Sequence, residues 1–328
     1  MKVRFWGARG SLPATVSAGQ IRAKVLRALR EAQRDGLDKD TDLETWMDQH
    51  LPFWVRSTYG GNTTCLEVEN PGGETILLDA GSGLRDFGAR LMKDGRGLVP
   101  GTYHFFMTHL HWDHLQGFPF FPPIYIRGNR IVIHSYHEGC EDAFRAQMRP
   151  PVFPVPFDSL GAEIVFDIQP PLTPYAVGGF RITSFEQLHP GVSYAYRLER
   201  GGRSFVLSTD SEHKSVAFSP EYPFIEFIRN ADVLVFDAQY SMADATFSKA
   251  DWGHSSNVMG VELAARAGVG TLVLCHHDPL RDDESLEEFL QNSRLYREIY
   301  LQETLDEPTE DACPRQVMLA HDGLELTW

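Results

Sequence analysis

The sequence lacks the features that mark exported, membrane-spanning and disulfide-stapled proteins. Its 328 residues contain no run approaching the roughly 20 consecutive apolar residues of a membrane helix, and residues 1–10 contain no signal-peptide core. It has only four cysteines, and no two of them form a C-x-x-C pair. These absences argue against a disulfide framework or a structural zinc knuckle, and they favour a cytoplasmic protein with no membrane partner.

Positive charge is also scarce relative to negative charge. Lysine and arginine together number 30, against 45 for aspartate and glutamate, which gives a formal net charge of −15. Because a surface this acidic repels polyanions, we expect no long nucleic acid among the partners. The hydrophobic fraction of 42% and the charged fraction of 23% are typical of soluble globular proteins. No low-complexity segment or solenoid repeat is visible, so a single domain over residues 1–328 is expected.

Short apolar runs and helical patterns alternate along most of the chain. Residues 2–6 and 63–69 are typical of strands, and further strand-like runs follow as far as 271–274. Helical periodicity falls between them at 82–93, 137–147, 221–229, 256–267 and 283–293. This mixed order predicts the α/β class, with a four-layer αββα arrangement in which two sheets lie between helices.

Residues 17–51 interrupt this pattern. Ser17 and Gln20 match a capping box, as do Thr41 and Glu44, and apolar residues follow each box at helical spacing. We therefore predict a helical hairpin inserted near the N-terminus. Our favoured interpretation is a packing element. The alternative is a cap over the site or a contact between two copies in a homodimer.

Four segments have two interpretations each. Residues 117–123 and 150–157 are rich in proline and phenylalanine, which favours ordered loops over strands. Such loops could wall a substrate pocket or simply cover the core. The glycines of residues 5–13 and 59–65 could expose backbone amides to a ligand, or they could only form turns.

The residues best suited to chemistry lie directly after the apolar run that ends at Met107. His109, His111, Asp113 and His114 place three imidazoles and a carboxylate within six residues. A loop leaving a strand can direct such side chains toward one point, where they would bind Zn²⁺, and also Mn²⁺ or Fe²⁺. A single histidine is more often a structural residue, but four potential ligands this close together predict a metal site.

This cluster resembles the H-x-H-x-D-H signature of the metallo-β-lactamase superfamily, and the resemblance covers most of the chain. It implies a hydrolase with two divalent metal ions, zinc in the first place, that bind a hydroxide nucleophile between them. The implied ligands are His109, His111 and His189 for metal one, Asp113, His114 and His276 for metal two, and Asp210 as a bridge between them. Asp113 is expected to contribute to catalysis as well.

Two further residues follow from the same resemblance. His277 competes with His276 for the place of the last ligand, and the usual ending of the family motif favours His276. Asp79 stands where the superfamily has an aspartate that supports the ligand loop through hydrogen bonds. It also matches an aspartate that initiates a turn before glycine, and both roles are compatible.

Later motifs resemble the ribonuclease Z and phosphodiesterase branch of the superfamily. The resemblance implies that Asp237 and His254 form a pair in which the imidazole protonates the leaving oxygen. A carboxylate beside this imidazole would keep it oriented and charged at neutral pH. Aspartate here replaces the glutamate of ribonuclease Z and shortens the reach by one methylene. Alternatively, His254 only precedes the helix cap at Ser255 and Ser256.

These observations predict a phosphodiesterase for a small phosphodiester such as a cyclic nucleotide. Transfer-RNA processing is disfavoured by the acidic charge and by the lack of a long arm rich in glycine, lysine and arginine. The alternatives are a lactone, thioester or sulfate-ester hydrolase that uses the same site, and a non-catalytic metal- or ligand-binding accessory protein. His137, Arg149, His213 and Asp278 could line the cleft, although each also has an ordinary surface or turn interpretation.

Overall fold

Two β-sheets of seven strands each form the centre of the computed structural model, which describes residues 1–70, 73–304 and 312–328. The strands are β1 (Lys2–Gly7), β2 (Cys65–Val68), β3 (Thr75–Leu78), β4 (Thr102–Phe106), β5 (Arg130–Ser135), β6 (Glu163–Ile168), β7 (Tyr175–Val177), β8 (Phe180–Gln187), β9 (Ser193–Arg200), β10 (Arg203–Ser208), β11 (Val233–Asp237), β12 (Thr271–Cys275), β13 (Gln316–Leu319) and β14 (Glu325–Thr327). The first sheet has the order β14-β1-β2-β3-β4-β5-β6, and the second has the order β13-β12-β11-β10-β9-β8-β7.

Helices occupy the outer layers and the N-terminal insertion. They are α1 (Ala18–Asp35), α2 (Leu43–His50), α3 (Phe53–Arg56), α4 (Gly83–Lys93), α5 (Trp112–Leu115), α6 (Cys140–Gln147), α7 (Pro223–Ile228), α8 (Asn257–Arg266) and α9 (Asp283–Thr304). Short 3₁₀ turns lie at Arg96–Leu98, Phe118–Phe120, Pro122–Tyr125, Phe157–Ser159 and Ser215–Phe218, and a π turn lies at Asp244–Ser248. In the described part of the chain, no helix is long and apolar enough to cross a membrane.

Three apolar clusters separate the layers. The central cluster joins the inner faces of the two sheets and contains Phe5, Phe106 and Tyr196. A second cluster packs α4 and α6 on the outer face of the first sheet, and a third packs α7, α8 and α9 on the outer face of the second. Strands covered on both faces are continuously apolar, as in β11, because neither face meets water. The predicted αββα arrangement is confirmed.

The parallel strands determine where a site can form. Strands β3 to β6 run parallel in the first sheet, and β10 to β13 run parallel in the second. Residues that follow neighbouring parallel strands emerge at the same edge of a sheet, and ligand sites of open α/β sheets form at such edges. The segments after β3, β4, β10 and β12 carry most of the predicted ligands.

The predicted helices between residues 17 and 51 are present, with one correction. Ser17 and Gln20 form the predicted capping box of α1. The second box, Thr41 with Glu44, is wrong. The N-cap of α2 is Asp42, whose carboxylate lies one residue closer to the helix and accepts from the amides of Glu44 and Thr45.

The insertion is held to the body of the protein along one side. Trp46, Leu51 and Val55 are buried in a small apolar cluster with residues of α1, and Lys24 forms an ion pair with Asp283 of α9. The opposite face of α1 is exposed. A role as a cap or as a homodimer contact stays a prediction.

The proline- and phenylalanine-rich segments cover the core. Phe118, Phe121 and Phe157 are buried in the cluster beneath α4 and α6, and no regular strand includes them. The loop prediction is therefore confirmed, with the core-covering interpretation. The sequence patterns missed β7, β13 and β14 and ended α9 too early. The prediction of a single domain includes residues 71–72 and 305–311, which lie outside the described residues, and it stays a prediction.

Candidate metal centre

Three turns with unusual backbone geometry deliver side chains to one edge of the two sheets. Asp79 follows β3, Asp210 lies just after β10, and His276 follows β12. Their φ angles are 59°, 56° and 60°, in the left-handed region that non-glycine residues rarely occupy. Backbone held in this region is costly and concentrates at functional sites. Here it turns each side chain toward the same point between the sheets.

The first ligand group consists of His109, His111 and His189. One ring nitrogen from each lies within 4.8 Å of the others, and Nδ1 of His111 is 3.0 Å from Nε2 of His189. His189 uses its Nδ1 to donate to the carbonyl oxygen of Gly253 at 2.9 Å, which directs Nε2 to the group. Burial lowers the pKa of all three imidazoles, that of His109 most strongly, so they are neutral and able to act as ligands.

The second ligand group consists of Asp113, His114 and His276, and all three are buried. Oδ2 of Asp113 lies 3.3 Å from Nε2 of His114 and 3.4 Å from Nε2 of His276. The same oxygen accepts from the backbone amide of Ser11 at 2.8 Å. His114 uses its Nδ1 to donate to Oδ2 of Asp79 at 2.8 Å, so Asp79 orients this ligand in the way the sequence implied.

Asp210 lies between the two groups. Its Oδ2 is 3.2 Å from Nε2 of His114, and its Oδ1 is 3.3 Å from Nε2 of His276. Oδ1 is also 3.7 Å from Nε2 of His109 and 3.8 Å from Nε2 of His189. One carboxylate therefore approaches both groups, which is the position that a bridging ligand requires.

Charges in the second group depend on its carboxylates. Burial alone would raise the pKa of Asp113 and Asp210, but the neighbouring imidazoles hold both pKa values well below the ordinary range. Burial alone would lower the pKa of His114 and His276. The carboxylates instead raise the pKa of His114 well above its ordinary value and that of His276 to about 9. The raised pKa values mean that protons on His114 and His276 balance the negative charge of the Asp113 and Asp210 carboxylates.

The donor set fits divalent metal ions. Nε2 of His109, His114 and His276 is buried and, within the described residues, makes no hydrogen bond. An unsatisfied buried nitrogen costs about 1–3 kcal/mol, and a cation bound by its lone pair removes that cost. Imidazole with carboxylate suits zinc, manganese and iron. These residues would hold the ions.

A sixth imidazole lies beside both groups, which between them contain five. The His254 ring stacks on His276 at 4.9 Å between ring centroids and lies 5.2 Å from the His189 ring. Its Nδ1 is 2.8 Å from Oδ2 of Asp237, an oxygen that also accepts from the amide of Asp210 at 2.9 Å. The shorter aspartate therefore reaches the histidine. The cap of α8 is Ser256, which accepts from Met259, so capping does not involve His254.

The remaining candidates lie outside the ligand groups. His277 points away and uses Nε2 to contact the carbonyl oxygen of Ala320 at 2.8 Å, which leaves His276 in the cluster. His137 contacts the carbonyl oxygen of Thr108, and Asp278 accepts from Lys249. Arg149 is exposed.

Three residues that contact the potential ligands or Asp79 through their backbone were not among the predicted site residues. Thr108 donates its amide to Asp79 at 2.8 Å, and Gly253 and Ser11 contact ligands through their backbone. The only signal in the sequence was the glycine-rich stretch at 5–13, which suggested exposed amides. The Ser11 amide lies in that stretch.

Comparison with known proteins agrees with this geometry. The family model described as "Beta-lactamase superfamily domain" matches residues 74–277. Ribonuclease Z from Haloarcula marismortui is 24% identical over 314 residues, which cover 80% of this chain and 90% of that protein.

Two solved structures share the fold. A diphosphatase of the PhnP family is 16% identical and has a TM-score of 0.60. The match covers 100% of this chain and 97% of the diphosphatase chain. Zn²⁺-bound PqqB from Methylobacterium extorquens is 14% identical with a TM-score of 0.62, and covers 100% of both chains. The family match spans more than half of the sequence, including the residues from Asp79 to His276. The chain therefore belongs to the beta-lactamase superfamily and is a hydrolase with the metallo-β-lactamase fold.

Proposed function

We propose that this chain is a metal-dependent phosphodiesterase that hydrolyses small phosphodiesters, with cyclic nucleotides as one candidate class. The observation that carries the proposal is the His254–Asp237 pair at 2.8 Å beside two potential metal-binding groups. Hydrolysis of a phosphodiester expels an alkoxide, a poor leaving group that needs a proton. A thioester expels a thiolate, which has no such need, so the pair favours substrates that leave as alkoxides, phosphodiesters among them.

Bound divalent ions would acidify a water molecule and stabilise negative charge on the phosphoryl oxygens. The residues of the chain bind the ions and orient the ligand rings. The two ligand groups and Asp210 would hold the ions, and Asp113 would act in catalysis through the second group. Asp79 fixes the ring of His114, and the carbonyl oxygen of Gly253 fixes that of His189.

Asp237 positions the proton donor. It accepts from Nδ1 of His254 and from the amides of Asp210, Ser255 and Gln239, so four donors fix the carboxylate. With Nδ1 bound to Asp237, Nε2 of His254 is the nitrogen that can give a proton to the leaving oxygen.

The net charge bears on the size of the substrate. Ribonuclease Z is named for RNA, but a chain with a net charge of −15 repels a long polyanion over most of its surface. A small phosphodiester presents one or two charges, and the metal centre can neutralise them. We therefore infer that the partners are small molecules.

Replacing His254 tests the proposal directly. In His254→Ala, we expect turnover of 3′,5′-cyclic AMP to fall by about 10²- to 10⁴-fold, the range of general-acid catalysis, and turnover of bis(4-nitrophenyl) phosphate, whose leaving group is already acidic, to fall much less. The loss should be larger for cyclic AMP, whose alkoxide needs the proton more. The metal content, measured by inductively coupled plasma mass spectrometry, should not change. His50→Ala on exposed α2 is the matched control.

Lactone and thioester substrates belong in the same assay. Wild-type protein that is loaded with metal and hydrolyses lactones but no phosphodiester would contradict the proposal. So would unchanged cyclic AMP turnover in His254→Ala. Metal-loaded protein that turns over neither class would instead support an accessory role in ligand binding.

A further inference from the structure

A cavity of about 370 Å³ opens beside His254, which forms part of its lining. Three segments contribute lining residues. They are Glu212, His213, Lys214, Ser215 and Phe218 after Asp210, Met242, Ala245, Ala250 and Asp251 around the π turn, and His254, Ser255, Ser256 and Met259 at the start of α8. The volume lies near the lower end of the roughly 300–1,000 Å³ typical of ligand pockets. It suits one ring system with a sugar rather than a polymer.

Two residues lining the cavity carry polar atoms without partners. Oγ of Ser255 and Nε2 of His213 are buried and make no hydrogen bond to any described residue, and Ser255 is only 3% exposed. The His213 ring is rigidly held, because Nδ1 contacts the Tyr222 hydroxyl at 2.8 Å and the ring stacks on Phe236 at 5.2 Å. Buried polar groups are normally satisfied, so a molecule in the cavity is the natural source of their missing bonds.

The remaining walls are apolar, and the rim is acidic. Phe218, Met242 and Met259 contribute a phenyl ring and two thioethers, which pack well against planar rings. At the rim, Lys214 forms ion pairs with both Asp251 and Glu212, which leaves an excess of negative charge. Such a rim disfavours a second anionic group and favours a neutral molecule.

Glu212 connects the cavity to the ligand groups. Its carboxylate accepts from the amides of Asp251 at 3.0 Å and Gly253 at 3.3 Å, and its own amide donates to the Leu188 carbonyl at 2.9 Å. The loops that carry His189 and His254 are thereby tied to the same wall of the cavity. A molecule in the cavity would thus lie against the proposed proton donor.

We propose that this cavity binds the leaving alcohol of the substrate, and that this alcohol is neutral and aromatic, such as a nucleoside. This inference rests on the proposed function. In the reaction, the oxygen of water bonds to phosphorus, the bond from phosphorus to the leaving oxygen breaks, and His254 gives its proton to that oxygen. For an open-chain phosphodiester, the class to which this inference applies, the products are a phosphomonoester and a separate alcohol, and the alcohol is already in the cavity beside His254. In a cyclic nucleotide the freed hydroxyl would instead stay on the same molecule as the phosphomonoester.

Filling the cavity tests the inference by a binding readout that does not depend on turnover. Adenosine is the probe, glycerol is the non-aromatic comparison, and isothermal titration calorimetry on metal-loaded protein gives the Kd. In Ser215→Trp, which places a large ring in the cavity, we expect the Kd of adenosine to rise at least tenfold. Val216→Trp is the matched control, because Val216 is an exposed neighbour that does not line the cavity.

A second variant avoids dependence on a bulky substitution. Ser255→Ala removes one hydroxyl, and we expect it to weaken adenosine binding by roughly two- to tenfold, as for one hydrogen bond. Thermal melts and metal content should match wild type in both variants. Adenosine that fails to bind wild type, or that binds Ser215→Trp as well as Val216→Trp, would overturn the inference. Absence of phosphodiester turnover in wild type would instead overturn the proposed function, so the two failures are distinguishable.

Discussion

The two ligand groups have similar donors but different surroundings. The first group has three imidazoles with lowered pKa values, and one of them, His111, is exposed. The second group is fully buried, contains the carboxylate of Asp113, and holds His114 and His276 with raised pKa values. The first group is therefore open and ready to bind, whereas the second must release protons when it takes an ion.

Because of this difference, we expect an ion in the first group to be more accessible to solvent and an ion in the second group to be bound more tightly. An exposed ligand lets solvent and chelators reach the first group, so an ion there should exchange readily. Burial and negative charge favour retention in the second group, because buried carboxylates need a cation and water cannot replace it. Asp210 contacts both groups and couples them.

Removing the Asp210 carboxylate should have the largest effect, because this carboxylate approaches both ligand groups. In Asp210→Ala, we expect both groups to bind metal more weakly and turnover to fall by roughly 10²- to 10⁴-fold, which corresponds to several kcal/mol of lost metal-ion catalysis. Metal titration and steady-state kinetics measure these changes. Asp158→Ala, at an exposed carboxylate, is the control. Loss of only one ion with full activity would show that Asp210 does not couple the groups.

Chelator kinetics should resolve the two groups. We expect wild-type protein to release metal to a chelator in two phases, with the faster phase at least about tenfold quicker, as for a barrier about 1.4 kcal/mol lower. His111→Ala should remove the fast phase, and His276→Ala the slow one. A stopped-flow assay with a chromogenic chelator follows both phases. If His276→Ala removed the fast phase instead, the assignment of accessibility would be reversed.

A smaller and more local effect is expected at Gly253. An added Cβ there would lie 2.3 Å from Nδ1 of His189, so Gly253→Ala should displace that ligand and weaken the first group only. Gly323 has nearly the same φ, +87° against +85°, but open space around its Cβ position. The left-handed φ should cost roughly 1–2 kcal/mol in the free energy of unfolding in both variants, and the clash with His189 should add to that cost in Gly253→Ala.

Only Gly253→Ala should reduce metal binding, and the slow phase of metal release should persist. Calorimetric metal titration of the two variants side by side measures the difference. Equal metal affinity in both would mean that His189 tolerates the displacement.

The sequence predicted the buried strands better than it predicted the periphery of the fold. Strands buried on both faces, such as β11, were recognisable because they are continuously apolar. The short strands β7, β13 and β14 were missed, because three or four residues at a sheet edge carry too little pattern. The cap of α2 was placed one residue early, since Thr41 and Asp42 are both acceptable N-caps and only the backbone decides between them.

Local spacing alone predicted a loop that brings four potential metal ligands together. His109, His111, Asp113 and His114 are so close in the chain that a single turn after β4 brings them together, whatever the rest of the fold. His189 lies 78 residues from His111, and its convergence with the first group was implied only by resemblance to the family. The ligand roles themselves stay a prediction.

Tertiary structure decided the features that depend on packing between distant segments. The left-handed turns at Asp79, Asp210 and His276, the choice of His276 over His277, and the contact from Asp237 to His254 all depend on how the two sheets meet. So does the difference between an open and a buried ligand group. Sequence specifies which donors are present, because ligand chemistry belongs to the side chain. Burial and charge at each donor arise only when the sheets pack, because they depend on neighbours that are remote in the chain.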